Sequence, residues 1–470
     1  MAGALLAAAA GIAVLGIGFI RTAGGLAGAP LDGVARGSAI TSGPCAGAPA
    51  VASAACASPT TPGGASPSTT GAPLAPSAPA GSPSPGPGSS PGPSIDDPSA
   101  ILAARLQAAL DRVRARLAIP GVSATILLPD GTSWSGVSGF ADVAARTRVT
   151  PDTAFAFASV SKTFTSALVL ELIGEGRMHL TDSAAHLLPP LRITIDRRIT
   201  VGMLLNHTSG LADYFLNPKI DGPLQGHPTA AWTTERTLRY VGKPLSLPGA
   251  AWHYANTNYL LLGLIAERAT GQTLADAIRT RLLEPVGLAA TWYQAGEAAR
   301  SPLAHGYRFV GTKRTARPID LEDGSGIAPF RSVITAAAGA GSMAGTSTDL
   351  ARWARALYGG KVLGPQGTAT LLSGFSKTTN YLPGVVYGYG VQAFSIDGHP
   401  SLGHSGRLLG FRSAVRHFPI DGLTIAVLTN QSRADPGVIV RALLAAALPV
   451  AAPVPVPGRP PVCPTCSMAR

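Results

Sequence analysis

Charge is scarce in this chain. Asp, Glu, Lys and Arg together make up 13% of its 470 residues. Cysteine is scarcer: Cys45 and Cys56 lie near one end, Cys463 and Cys466 near the other, and none lies between. The central region therefore needs no disulfide. Cys463-Pro-Thr-Cys466 has C-x-x-C spacing, but no second pair, no nearby His and no strand–helix context accompany it. A tail disulfide fits it better than metal or redox chemistry. No H-E-x-x-H occurs, so no metal and no other cofactor is expected. No G-x-S-x-G occurs, which excludes the nucleophile elbow of the α/β-hydrolases. No Gly-rich phosphate loop follows a strand, and no internal repeat is visible. The net charge is +12, yet no Lys/Arg cluster with interleaved aromatics appears. That argues for a generally basic surface and against a nucleic-acid partner.

What is present is unevenly distributed. Ala2 to Ile20 is uncharged and almost wholly apolar, with Arg21 after it and the small residues Ala27-Gly28-Ala29 further on. Residues 1–30 read as either a signal peptide or an N-terminal membrane anchor. Residues 31–98 read as a linker rich in Pro, Ser and Gly, as in Gly81-Ser82-Pro83-Ser84-Pro85-Gly86-Pro87. Such a stretch cannot bury enough apolar surface to offset the entropy of ordering. Together these segments place the protein outside the cytoplasm, secreted or anchored. Residues 99–450 are long enough for a large core, and a Pro-rich tail occupies 451–470.

Periodicity outlines the folded part. Leu102, Leu106, Leu110, Val113 and Leu117 predict a helix over Ala100 to Leu117. Val122 to Leu128, a turn at Asp130-Gly131 and Thr132 to Phe140 predict a hairpin. A mostly helical middle runs from Thr153 to Tyr358. Strands return at Tyr389 to Phe394, Phe411 to Phe418 and Leu423 to Leu428, with turns at Asp397-Gly398 and Asp421-Gly422. A last helix spans Pro436 to Leu448. Strands at both ends with helices between predict an α+β fold. One antiparallel sheet is built from both termini and flanked by helices, with a mostly helical inserted region.

Three short segments carry chemistry. In Ser159-Val160-Ser161-Lys162 the first Ser opens an apolar helix, and i,i+3 spacing puts Lys162 on its face. A Ser hydroxyl needs a base, and a desolvated Lys can be one. The helix start adds positive potential where an oxyanion would form. In Tyr254-Ala255-Asn256, the Tyr is placed to relay a proton. Asn256 is placed to cap the helix Thr257 to Arg268, to hold Lys162, or to hold a substrate amide. In His404-Ser405-Gly406, on or beside a strand, the small residue lets a substrate backbone lie along the strand edge. The Arg407 N–H can then join that of Ser159 in an oxyanion hole. The opposing readings are a capping Ser with a surface Lys, an ordinary Asn cap, and a hairpin glycine. His207 reads as a brace beside the catalytic helix. Asp213 and Tyr214 read equally as cleft edge and as solvated loop, and Trp252 as core. His253 would point away from Tyr254 in extended chain.

This set, S-x-x-K, Y-x-N and H-x-G in that order, resembles the serine β-lactamase-like family. That family includes class C β-lactamases, D-alanyl-D-alanine carboxypeptidases and related esterases. The resemblance covers about Ala100 to Leu448. Leu204-Leu205-Asn206-His207-Thr208-Ser209-Gly210-Leu211, Gly388-Tyr389-Gly390 and Val427-Leu428-Thr429-Asn430 support it. It implies a β-lactamase/transpeptidase-like fold and an acyl-enzyme on Ser159. Lys162 and Tyr254 would share the general-base work, while Asn256, His404, Ser405, Gly406 and Arg407 would bind substrate. That substrate would be a peptidoglycan-type peptide, a β-lactam or an ester, with D-alanyl-D-alanine carboxypeptidase-like cleavage first among these. His404 stands where other members carry Lys, a weaker anchor for a carboxylate. Gly390-Val391-Gln392-Ala393-Phe394 lacks the Arg that carboxypeptidases of the H-T-G type often place there. Arg407 and Arg412, nearby in sequence, are the candidates to substitute for it; the departure weakens D-Ala-D-Ala specificity and strengthens an esterase reading. A non-catalytic wall-binding module of the same fold is the rival.

Overall fold

The structure, a computed structural model, describes residues 97–309 and 317–448. The expected export segment, nearly all of the linker, and the tail with Cys463 and Cys466 lie outside the described residues. Among the described residues no helix is long and apolar enough to cross a membrane.

The first helix, α1 (Pro98–Leu117), starts just inside the stretch assigned to the linker. The local reason is a cap: Asp97 accepts from the Ser99 N–H at 3.0 Å, and Pro98 occupies the first helical position. Ala118 in a left-handed conformation ends it. Then come β1 (Gly121–Leu127), β2 (Ser133–Asp142) and β3 (Thr147–Arg148). After the helical region follow β4 (Ser376–Lys377), β5 (Val386–Tyr387), β6 (Gln392–Ile396), β7 (His399–Leu408), β8 (Phe411–Phe418) and β9 (Leu423–Thr429). All join one antiparallel sheet in the order β3-β2-β1-β9-β8-β7-β6-β5-β4. The two ends of the fold meet where Val122 opposes Thr429 and Leu127 opposes Thr424. This is the sheet from both termini that the pattern predicts.

Both faces of the sheet are covered, so β1 and β9 are buried at every residue. On one face, Leu106, Leu110 and Val113 of α1 pack with Ile439, Val440, Leu443 and Leu444 of the last helix (Gly437–Ala447). Each such side chain contributes about 1.5–3 kcal/mol when fully buried. The other face carries the larger core and the helix Ser161–Gly174, here α2. From Ser161 to Leu172 only Glu171 of α2 escapes full burial. A helix surrounded on all sides sits inside the molecule. The Phe164 ring stacks on Trp353 at 4.1 Å. This placement, more than any local signal, is why Lys162 is buried.

The middle region differs from the expectation in one respect. Among its short helices lies a small sheet of Phe155–Ala156, Met343–Gly345 and Trp292–Tyr293, and a hairpin pairs Tyr307–Phe309 with Pro318–Asp320. Strands of two or three residues are too short to leave an alternation in the sequence.

Candidate active site

Ser159 sits in a single 3-10 turn, Ala158–Val160, that runs directly into α2. The turn is bolted from outside. The Phe157 N–H donates to Met343 O at 2.8 Å, and the Ser413 hydroxyl donates to Phe157 O at 2.7 Å. The Ser161 hydroxyl donates to Ala158 O at 2.6 Å. Ala158 itself has φ +50°, a left-handed conformation that costs a non-glycine residue energy. These bonds hold it there and fix the direction of the next side chain.

Lys162 is completely buried and its amine is coordinated from three sides. Nζ lies 3.2 Å from Ser159 Oγ, 2.7 Å from Asn256 Oδ1 and 2.8 Å from Ala340 O. Burial lowers its proton affinity, with Asp213 opposing the fall. A neutral amine has two N–H groups and one lone pair. The amide oxygen of Asn256 and the carbonyl of Ala340 can only accept, so they take the two N–H groups. The remaining tetrahedral position, the lone pair, then faces the Ser159 hydroxyl.

Tyr254 completes the arrangement. Its ring centroid lies 5.1 Å from Lys162 Nζ, and Ser159 beside it lowers the phenol's proton affinity, against burial. Burial, followed by Tyr381, pushes that phenol well above its ordinary range, so it is a neutral O–H in the resting site. The ring lies flat against Tyr381 at 5.7 Å and near His207 at 4.3 Å. His207 is a brace, as expected. Nδ1 accepts from the Ala255 N–H at 3.3 Å and pairs with the Asn258 side chain at 3.0 Å, fixing the chain on either side of Asn256. Trp252 is core, as read.

Asn256 begins the helix Asn256–Thr270 (α3), but its side chain makes no cap bond; Ala255 holds the capping position. Its Oδ1 faces Lys162 and its Nδ2 donates to Asp213 Oδ2 at 2.9 Å. With both ends engaged in the interior, it holds the base, the second of the three roles open to it in the sequence. Asp213 is accordingly buried rather than solvated.

The strand β7 carries the third segment. β6 pairs with it only as far as Gly403, so among the described residues His404 to Leu408 have a ladder partner on the β8 side alone. The other edge of that half is open, as a bound extended substrate requires. Gly406 lies flush against the nucleophile's turn: a Cβ there would stand 2.3 Å from both Phe157 O and Ser413 Oγ. Gly406→Ala is expected to displace the turn, lowering acylation by about tenfold or more and stability by about 1–3 kcal/mol. Burst kinetics and a thermal melt measure both; unchanged values would deny the strand its contact with the turn.

His404 is wholly buried; Nδ1 lies 2.7 Å from Ser405 O and Nε2 lies 2.9 Å from the Tyr387 phenol. A carbonyl accepts only, so Nδ1 carries the proton and Nε2 accepts from Tyr387. Burial drives the imidazole well below its usual range, and Lys162 adds to this. In this state it is a neutral link between the Tyr387 phenol and the Ser405 carbonyl. Ser405 is half-buried, 3.3 Å from Gln392, whose amide donates to the Tyr381 phenol at 2.6 Å. The Arg407 side chain is half-buried, its guanidinium brought down to about 10 by burial and then by Arg412.

Sequence reasoning left Asp213 undecided and missed the Ala340 carbonyl, Tyr381 and Tyr387. The Y-G-Y pattern at Tyr387-Gly388-Tyr389 was the nearest signal for Tyr387; a main-chain carbonyl leaves none. Among the described residues, one group, Asp142, His305 and Asp320, brings potential metal-ligand atoms within 4.8 Å of one another. None of the residues around Ser159 belongs to it.

Comparison with known proteins agrees with this geometry. The family model for Beta-lactamase matches residues 106–448. Penicillin-binding protein 4 of Amycolatopsis lactamdurans is 30% identical over 344 residues, 70% of this chain and 85% of that protein. A D-aminopeptidase of Brucella canis is 35% identical over 150 residues, 32% of this chain and 28% of that protein. Among solved structures, a D-stereospecific amidohydrolase from Streptomyces sp. matches with a TM-score of 0.63 and 27% identity, covering 72% of this chain and 98% of the other.

Proposed function

The chain belongs to the beta-lactamase family, a serine hydrolase, and from that premise we propose that it cleaves amide bonds beside a D-configured residue in small peptides or amides. The observation that carries the reading is the coordination of Lys162. Nζ lies 3.2 Å from Ser159 Oγ, and in the free amine the two N–H groups go to Asn256 and Ala340, which turns the lone pair toward that hydroxyl. Ser159 attacks the carbonyl carbon as Lys162 takes its proton, and an acyl-enzyme forms. Tyr254, a neutral phenol beside Ser159, hands a proton to the leaving nitrogen and recovers it from Lys162. Main-chain N–H groups of Ser159 and Arg407 receive the oxyanion. Water then releases the acyl group.

The names of the relatives support the amide and the D-configuration. A neutral His404, and Gln392 where an Arg would serve, support a substrate without a terminal carboxylate. The similarity to penicillin-binding protein 4 favours D-alanyl-D-alanine carboxypeptidase activity as the second reading. The uncharged run Ala2 to Ile20 supports a site of action outside the cytoplasm.

A rate panel decides between them: a D-amino acid amide, its L enantiomer, a D-Ala-D-Ala peptide, a cephalosporin and a short aryl ester. The D-amide is expected to exceed the L-amide in kcat/KM by about tenfold or more. Preference for the D-Ala-D-Ala peptide would install the second reading, and preference for the ester would make the chain an esterase. No covalent label and no turnover with any of them would leave a binding module.

A further inference from the structure

Asp213 heads the turn Tyr214–Leu216 and is buried beside the base. Oδ1 accepts from the Phe215 N–H at 3.1 Å, which accounts for one oxygen. The other accepts from Asn256 Nδ2 at 2.9 Å. A primary amide has one accepting end and one donating end. Since a carboxylate holds the donating end of Asn256, the accepting end is turned to Lys162 Nζ, 2.7 Å away. Reversed, Asn256 would set N–H against N–H at Lys162 and oxygen against oxygen at Asp213. Both are buried groups, where unmatched polar contacts are costly.

The same chain of bonds has an electrical consequence. The groups facing Lys162 are the Ser159 hydroxyl, Tyr254 and Tyr259 with ring centroids at 5.1 and 5.4 Å, the Ala340 carbonyl, Asn256, and the imidazoles of His207 and His404 behind them. Burial keeps the phenols protonated and the imidazoles neutral at neutral pH. Asp213 is the group in this set that brings negative charge.

We propose that Asp213 is a positioning residue for the acylation step: through Asn256 it aims an acceptor at Lys162, and it supplies the base with a buried countercharge. This rests on the reading of Lys162 as the base for Ser159. A countercharge favours the ammonium form, so Asp213 holds back the fall that burial imposes on Lys162. It thereby sets the pH above which the amine is free to accept a proton. The Asp213 carboxyl is itself raised by the same burial, so the two groups titrate as a pair.

The sign of the test follows. Wild-type acylation rises with pH as Lys162 loses its proton. Without the negative charge at 213 that proton leaves at lower pH. Asp213→Asn removes the charge and keeps one of the two acceptors, an N–H donor replacing the other oxygen; Asp213→Ser removes the charge and leaves one shorter acceptor. In both, the acid limb of kcat/KM for an aryl ester is expected to move down by about one pH unit or more. Asn256→Asp, which brings a charge against Nζ, is expected to move the limb up. A static limb in a folded Asp213→Asn or Asp213→Ser, or an upward shift, would reduce Asp213 to a turn cap. Failure of both variants to fold would do the same. If instead wild-type protein never acylates at Ser159, the hydrolase reading itself fails, and that is seen before any variant is made.

Discussion

Ser159→Ala is expected to abolish covalent labelling and to cut turnover by about 10⁴-fold or more, with the fold intact. The two halves of this expectation have separate grounds. The chemical half is that, among the described residues, Ser159 is the aliphatic hydroxyl within hydrogen-bond distance of Lys162 Nζ. Ser161, the nearest in sequence, is committed to Ala158 O at 2.6 Å and accepts from the Met343 N–H at 3.0 Å. The structural half is that none of the bonds fixing the turn uses the Ser159 hydroxyl. They run through Phe157, Ser161 and Ser413. The deleted oxygen leaves Lys162 with Asn256 and Ala340 as partners, so the loss in stability should stay near 1 kcal/mol. Intact-protein mass spectrometry after exposure to a penicillin or an activated ester reads the first half, and a thermal melt reads the second. An adduct on the variant would remove Ser159 as nucleophile, and with it the meaning given to every distance around it.

The parts of this site visible in the sequence are those where the chemistry demands a residue type at a short, fixed spacing. Ser159 and Lys162 are three residues apart on one turn of chain, and helical geometry alone brings them together. Tyr254 and Asn256 flank one residue at the start of α3. The long strands β8 and β9 and both terminal helices were legible for the same reason, since a buried face imposes its period on the residues. What was not legible depends on distant pairing. The strand His399–Leu408 that carries His404, and the burial of that ring, left no period of their own between two turns. The group that holds the ring is Tyr387, on a strand of two residues. Asp213 lies in a loop 43 residues before Asn256, and only the packing of that loop against α3 turns a solvated carboxylate into a buried one. For Asn256 the sequence left three roles open, and packing favours the one at Lys162. Asn is a good capping residue, and here the capping position falls one residue earlier because the side chain is drawn inward to Lys162.

Lys162→Ala is expected to lower acylation by about 10²–10⁴-fold, a larger loss than Tyr254→Phe. The difference in rank comes from charge state. The Tyr254 phenol is pushed well above its ordinary range, so it holds its proton in the resting enzyme and helps by relaying one. Lys162 is brought by burial to about 7, so near neutral pH a substantial fraction is free amine. Its lone pair already faces the hydroxyl. In wild type, acylation should therefore fall as pH drops through that range, because protonation consumes the lone pair. In Lys162→Ala the residual rate should no longer titrate there. The truncation also leaves Asn256 Oδ1 and Ala340 O without their donor in a dry interior, about 1–3 kcal/mol of stability for each. A loss of activity in Lys162→Ala alone could thus be blamed on the fold. Lys162→Met resolves the ambiguity, since it refills the volume without an amine. Activity as low in Met as in Ala, with the melt partly restored, assigns the loss to proton transfer. Activity recovered in Met would mean that Lys162 acts by filling space, and that Ser159 takes its base from elsewhere.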